Sequence, residues 1–155
     1  MKTNEIPPAK TARAGERLVG WEDADVGRHG LGLMVDPGGR LHAILRNNGQ
    51  VGDIIDQRQA ESFEIVCVSW GPSGAALHRN GTAAGANKGI AGISSDPAIA
   101  ALRLGGPGSG GSPRFSGDIA EVLVYNRALS ADDAESVQQY LDRKYARLRK
   151  ALPRR

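Results

Sequence analysis

Three acidic residues crowd one short stretch, WEDADVGRHG: Glu22, Asp23 and Asp25. Oxygen-rich clusters of this kind suit a hard cation, because Ca²⁺ takes several carboxylate and carbonyl ligands from a flexible turn. Asp23 and Asp25 are the best donors, with Asp36 or Asp53 as further candidates, and calcium is the one cofactor that the residues suggest. The plainer reading, a polar hairpin tip with no metal, is the stronger. A second set is basic. In RLHAILRN, Arg40, His42 and Arg46 alternate with Leu41, Ala43 and Leu45, so in a strand the first three share one face. His78 and Arg103 hold outward positions in their own strands. Such a face offers positive charge and hydrogen bonds to an acidic glycan or an acidic protein patch, and the plain alternative is an ordinary solvated sheet face.

Gly106, Gly108 and Gly111 satisfy G-x-G-x-x-G. That spacing cradles a pyrophosphate only where the glycines follow a strand and open a helix. Here Ser112 and Pro113 follow, then GDIAEVLVYN. Its alternating β-branched and aromatic residues predict a strand that is apolar on both faces and central in its sheet. No Gly-Lys-Ser/Thr follows, so the phosphate-loop reading fails too. The glycines read as a long mobile loop between two strands.

The single cysteine, Cys67, rules out an internal disulfide or a cysteine-based zinc site. It lies in the apolar run SFEIVCVSW, where a buried, inert thiol is expected. The three histidines are too scattered for a triad or a metal cluster. No run approaches the roughly 20 apolar residues of a membrane span. Residues 1–16 lack an apolar core, so they read as a flexible lead-in and not as a signal peptide.

The chain has 155 residues, room for one domain with a real core. With 21 Gly and 8 Pro it is too rich in breakers for a helical bundle, and at 40% hydrophobic it is too apolar for disorder. Its charge is divided. Residues 143–155 carry seven basic side chains and no acidic one, leaving thirteen basic against seventeen acidic elsewhere, a net −4. The basic tail, 149–155, suits either contact with an anionic surface or a solvated helix end, and the second is favoured. Nucleic acid is not an expected partner.

About nine short strands can be traced: RLVGW, HGLGLMVD, RLHAILRN, VGDIID, ESFEIVCVSW, AALHRN, TAAG, ALRLGG and GDIAEVLVYN. Turn signals separate them, notably DPGGR, Asn48-Gly49, GPSG and Asn80-Gly81. One helix is clear. Ser130 caps it, Asp132, Asp133 and Glu135 fill its first turn, and Ala134, Val137, Leu141 and Leu148 form one apolar stripe ahead of Pro153. The expected fold is all-β, an antiparallel β-sandwich with one C-terminal α-helix over residues 17–148.

Two passages carry a family resemblance. FSGDIAEVLVYNRALSADDAESVQQYLDRKY resembles the closing strand and helix of laminin-G-like (LamG) modules, in the concanavalin A-like lectin/glucanase superfamily. Gly117, Ile119, Glu121, Val122, Tyr125, Asn126, Arg127, Ala128, Leu129 and Ser130 match that pattern in order. FEIVCVSWGPSGAALHRNGTAAG resembles the family's central hairpin through Trp70, Leu77, Asn80 and Gly81, with His78-Arg79 where an aromatic is usual. The match spans roughly Leu18 to Tyr145 and is similar to LamG-type segments of large planctomycete-type multidomain proteins. It implies a concanavalin A-like jelly roll. Full modules have extra strands ahead of the first one here, which leaves open a jelly roll lacking its N-terminal strands.

The resemblance also implies a role outside the cytoplasm, in a secreted, periplasmic or cell-surface protein. The leading expectation is a non-catalytic recognition module that binds carbohydrate. A protein-interaction or intramolecular docking module is second, and the 5% aromatic content favours it. A degenerate glycoside hydrolase is third. The glucanase branch needs an acid and a nucleophile carboxylate on one strand face, and its E-x-D-x-x-E arrangement is absent here.

Overall fold

Asn48-Gly49 and Asn80-Gly81 turn as the sequence predicts. Their φ angles are 50°, 79°, 51° and 76°, the left-handed values of a type I′ hairpin. Such turns tie together most of the chain. The computed structural model describes residues 15–23, 30–60, 63–90, 99–106 and 114–152. Within these lie eight strands: β1 (Glu16–Asp23), β2 (Gly30–Val35), β3 (Arg40–Asn47), β4 (Gln50–Gln59), β5 (Val66–Gly71), β6 (Gly74–Arg79), β7 (Thr82–Asn87) and β8 (Ile99–Leu104).

They form two antiparallel sheets, ordered β4-β3-β2-β1-β8 and β5-β6-β7. The alternation read in RLHAILRN holds. Leu41, Ala43 and Leu45 are buried and face the second sheet, with Leu31, Leu33 and Ile54 beside them. Trp70, Ala75, Leu77 and Ile90 complete the core. This is a β-sandwich of the jelly-roll kind.

Two glycines let the sheets close on each other. A Cβ on Gly52 of β4 would lie 2.6 Å from Cδ1 of Ile90, and one on Gly85 of β7 would lie 2.7 Å from Cγ2 of Ile54. Isoleucine side chains occupy both places, so the missing methyl groups set the spacing of the layers.

One charged cluster is buried in the same region. Arg79 of β6 is 3% exposed and reaches across to Asp56 of β4, with Nη1 donating to Oδ2 at 3.1 Å. Its Nη2 donates to Glu64 and to the carbonyl of Gln59. Arg58 holds the same Asp56 carboxylate from outside, with Nη2 2.8 Å from Oδ2. These bonds press Asp56 down to about 2, the Arg58 side chain contributing most. The pattern Leu77, Arg79 places this arginine on the core face, where it needs both carboxylates.

The C-terminal region holds α1 (Ala131–Lys144) and α2 (Ala146–Ala151). Ser130 caps α1, its hydroxyl accepting from the Asp133 N–H at 3.1 Å. The single helix expected from the apolar stripe is thus broken once, at Tyr145, where φ −104° and ψ 12° leave helical geometry. Arg149 and Lys150 of the basic tail belong to α2. Glu16, placed in the lead-in by its sequence, opens β1 and is 1% exposed. Residues 1–14, the glycines at 107–113 and Pro153 lie outside the described residues.

The ninth strand differs from expectation. Residues 117–126 pair with no strand among the described residues. Ile119, Leu123, Val124 and Tyr125 are exposed there. The reason is how the segment is held. Ser116 is fixed to β1, its N–H and hydroxyl donating to the Glu16 carboxylate at 3.0 Å. Glu121 is taken by the helices: Lys144 Nζ lies 3.1 Å from its Oε1, and the Tyr145 hydroxyl 3.1 Å from its Oε2. The smaller sheet therefore ends at β5.

Candidate functional site

The outer face of the five-stranded sheet gathers four of the five basic residues singled out in the sequence. Strand register places them. Arg103 of β8 stands level with Gly20, Gly20 with Gly32, Gly32 with Ile44, and Ile44 with Asp53. Arg46 stands level with Gly30 in the next outward row, and His42 with Met34 in the one on the other side. Arg40, His42 and Arg46 follow from strand alternation alone. Arg103 lies three strand spacings from β3, roughly 14 Å away.

The space between is floored by glycine, and Arg17 lies along it. A Cβ on Gly20 would meet Cδ of Arg17 at 2.8 Å, and one on Gly32 would lie 3.7 Å from its guanidinium carbon. Sequence reasoning missed Arg17. A β-bulge between Arg17 and Val19 sets its face: Val19 stays level with inward Leu33 while Arg17 stays level with outward Met34. Simple alternation puts residues 17 and 19 on one side, so no periodic signal marks it.

The face is not uniformly positive. Asp36 binds Arg40 twice, through the backbone N–H at 2.8 Å and the guanidinium Nε at 2.8 Å. The backbone bond, then the Arg40 and His42 side chains, hold Asp36 well below the usual carboxylate range. His42 sits between two carboxylates, with Nε2 3.1 Å from Asp36 Oδ2 and Nδ1 3.3 Å from Asp53 Oδ2. Arg40 is thus paired with Asp36, and His42 is held between Asp36 and Asp53. Arg46 and Arg103 have no ion-pair partner among the described residues. The result is a polar face with a fixed hydrogen-bonding end at Arg40, Asp36, His42 and Asp53, and a cationic end at Arg46 and Arg103, with Arg17 lying across the glycines between them.

His78 stands apart. It is on β6, level with Cys67 of β5, on the side of the smaller sheet that looks toward α1. Cys67 is half-buried, short of the full burial that its apolar run predicts, because Val66 and Val68 take the core side of β5; burial still pushes its thiol up. Trp70 packs in the core.

The two leading calcium candidates, Asp23 and Asp25, lie at or beyond the edge of the described residues. Asp23 ends β1, its backbone level with Ile99, and Asp25 lies outside the described residues. Asp36 and Asp53 are engaged by Arg40 and His42. No three His, Cys, Asp or Glu side chains among the described residues are placed to hold a metal ion.

On its other side, the sandwich is open. A cavity of about 2810 Å³ separates β5 and the inner face of β1 and β2 from residues 115–130 and α1. Small-molecule pockets are roughly 300–1,000 Å³, so this is an uncovered flank and not a ligand pocket.

A sandwich of five against three strands, followed by a C-terminal helical region, defines a lectin-like jelly roll. The family model described as the concanavalin A-like lectin/glucanases superfamily matches residues 6–135, and the chain belongs to that family. No curated protein matches it. Among solved structures it is similar to an S-layer domain-containing protein from Clostridium thermocellum (residues 221–444), at 16% identity and a TM-score of 0.38. That match covers 81% of this chain and 64% of the other, so the chain spans less than two thirds of that structure. No helix among the described residues is long and apolar enough to cross a membrane.

Proposed function

We propose that the protein is a non-catalytic recognition module that binds an acidic carbohydrate on the outer face of its five-stranded sheet, as part of a protein working outside the cytoplasm. The observation that supports this reading is the register that brings Arg46 and Arg103 to one outward face on either side of a glycine floor crossed by Arg17. Because the glycines carry no side chains, Arg17 lies low across them, and a flat chain of sugar rings has room above it between Arg46 and Arg103. Carboxylate or sulfate groups on that chain would meet guanidinium forks, which bind them in bidentate fashion. The Arg40–Asp36–His42–Asp53 group supplies fixed donors and acceptors for hydroxyls at the other end, already oriented by their mutual bonds.

One observation favours a second reading, docking to a neighbouring protein domain. Aromatics make up only 5% of the chain, so stacking on sugar rings is scarce. A glycan array run with and without Ca²⁺ separates the two. Retention of acidic glycans supports the first. Silence on the array, with association to a neighbouring domain of the same protein, supports the second. Release of reducing sugar would overturn the non-catalytic assignment.

A further inference from the structure

One cross-strand row of the outer face carries opposite charges at its two ends. Asp53 of β4 stands level with Ile44 of β3, Ile44 with Gly32 of β2, Gly32 with Gly20 of β1, and Gly20 with Arg103 of β8. The row crosses all five strands, so its ends lie four strand spacings apart, roughly 19 Å. Both end residues face outward. Ile54, next to Asp53, is 3% exposed in the core, and strand alternation turns Asp53 the other way. Arg103 is exposed.

Asp53 is the exposed acid of this row. Its side chain is 41% exposed, against 10% for Asp36. Asp36 is turned to Arg40, with Oδ2 2.7 Å from Nη2. The Asp53 carboxylate meets His42 at one oxygen, 3.3 Å from Nδ1. Arg46 stands level with Val51, two residues from Asp53 on the same face, yet forms no ion pair with it. The charge of Asp53 is therefore presented to whatever lies on the face.

Arg46 and Arg103 attract the acid groups of a bound chain, and Asp53 repels an acid that lands beside it. A site discriminates through the contacts it makes worse as well as those it makes better. A chain lying along the row from Arg103 to β4 ends over Asp53. If every sugar is acidic, an acid is forced against that carboxylate. If neutral sugars separate the acids, hydroxyl groups can stand there instead and donate to its oxygens.

We propose that Asp53 is the specificity-determining residue of the outer face, and that the ligand is a glycan whose acidic sugars are separated by neutral ones. This rests on the carbohydrate-binding reading above and adds to it which acidic glycan is taken. An acid group meets Arg103, the chain crosses the glycines, and an uncharged sugar donates its hydroxyls to Asp53. The row thus fixes the register of the chain as well as its affinity.

Titration calorimetry with two oligogalacturonides of one length tests this. One is fully ionised, the other partly methyl-esterified, and both are used in EDTA at fixed ionic strength. Attraction to the arginines alone favours the fully ionised chain. The proposal predicts the reverse, with the parent protein binding the partly esterified chain about fivefold tighter or more. Asp53→Asn keeps an oxygen acceptor for His42 while removing the charge, and should abolish that preference. Asp53→Lys should invert it. Asp118→Asn makes the same charge change on the open flank, away from the row, and should leave the preference as in the parent. Asp53 is on the surface, so all three variants should melt with the parent chain. A parent that prefers the fully ionised chain, an unchanged preference in both Asp53 variants, or an equal shift in Asp118→Asn would each overturn the proposal. Binding of neither chain by the parent overturns it too, and the carbohydrate reading falls only if the glycan array is silent as well.

Discussion

Nη1 of Arg79 lies 3.1 Å from Oδ2 of Asp56, and each residue is only 3% exposed. The pair joins β6 to β4 and so bolts one sheet to the other. Ions of both signs are expensive to bury, and losing one partner leaves the other uncompensated. Arg79→Met is expected to destabilise the fold by about 3–5 kcal/mol. Urea unfolding of the variant and the parent chain checks this. A change below about 1 kcal/mol would mean that the cluster is solvated.

Acid should loosen the same joint. Asp56 ionises at about 2, and Asp36 also lies well below the free value, which is about 3.9. A carboxyl group with a depressed folded pKa adds stability above the unfolded value and loses it as pH falls through the folded one. Stability is therefore expected to fall between about pH 4 and pH 2. Thermal melts across that range measure it, and Asp56→Asn should flatten much of the decline.

Packing between the sheets leaves no room at Gly52, where an added Cβ would come within 2.6 Å of Ile90. Gly52→Ala is expected to cost about 1–3 kcal/mol through overpacking. The double variant Gly52→Ala/Ile90→Val should recover part of that loss, a coupling that denaturant titration resolves.

Much of this fold is legible from local chemistry. Asn-Gly pairs and the alternation in β3 mark turns and inward faces because each depends on neighbours in the chain. Arg40, His42 and Arg46 share a face for the same reason. That Arg103 joins them is a matter of register between β8 and β1, which no single strand encodes. Arg17 is hidden by a bulge. His78 reads like the others by alternation yet lies on the other sheet, since alternation fixes a side but not a layer. The segment 117–126 has the pattern of a strand, but its position is set by Glu16, Lys144 and Tyr145, distant in sequence. Asp36 and Asp53 read from the sequence only as oxygen donors, and their partners, Arg40 and His42, emerge from the strand register and the turn after β2.

Helix α1 depends on its cap. Ser130→Ala removes the acceptor for the Asp133 N–H and is expected to cost about 1 kcal/mol. Circular dichroism with thermal melting reads the effect, and Ser130→Asp should restore stability.

The central claim rests on Arg46 and Arg103 acting as the cationic end of a carbohydrate-binding face. Titration calorimetry with an acidic polysaccharide such as alginate or a sulfated galactan, comparing the parent chain with Arg46→Ala/Arg103→Ala, tests it most directly. Binding by the parent that weakens at least tenfold in the double variant, with the melting temperature unchanged and with affinity falling as salt rises, is the predicted result. Equal binding by both proteins, or none by the parent to any acidic glycan, would contradict it.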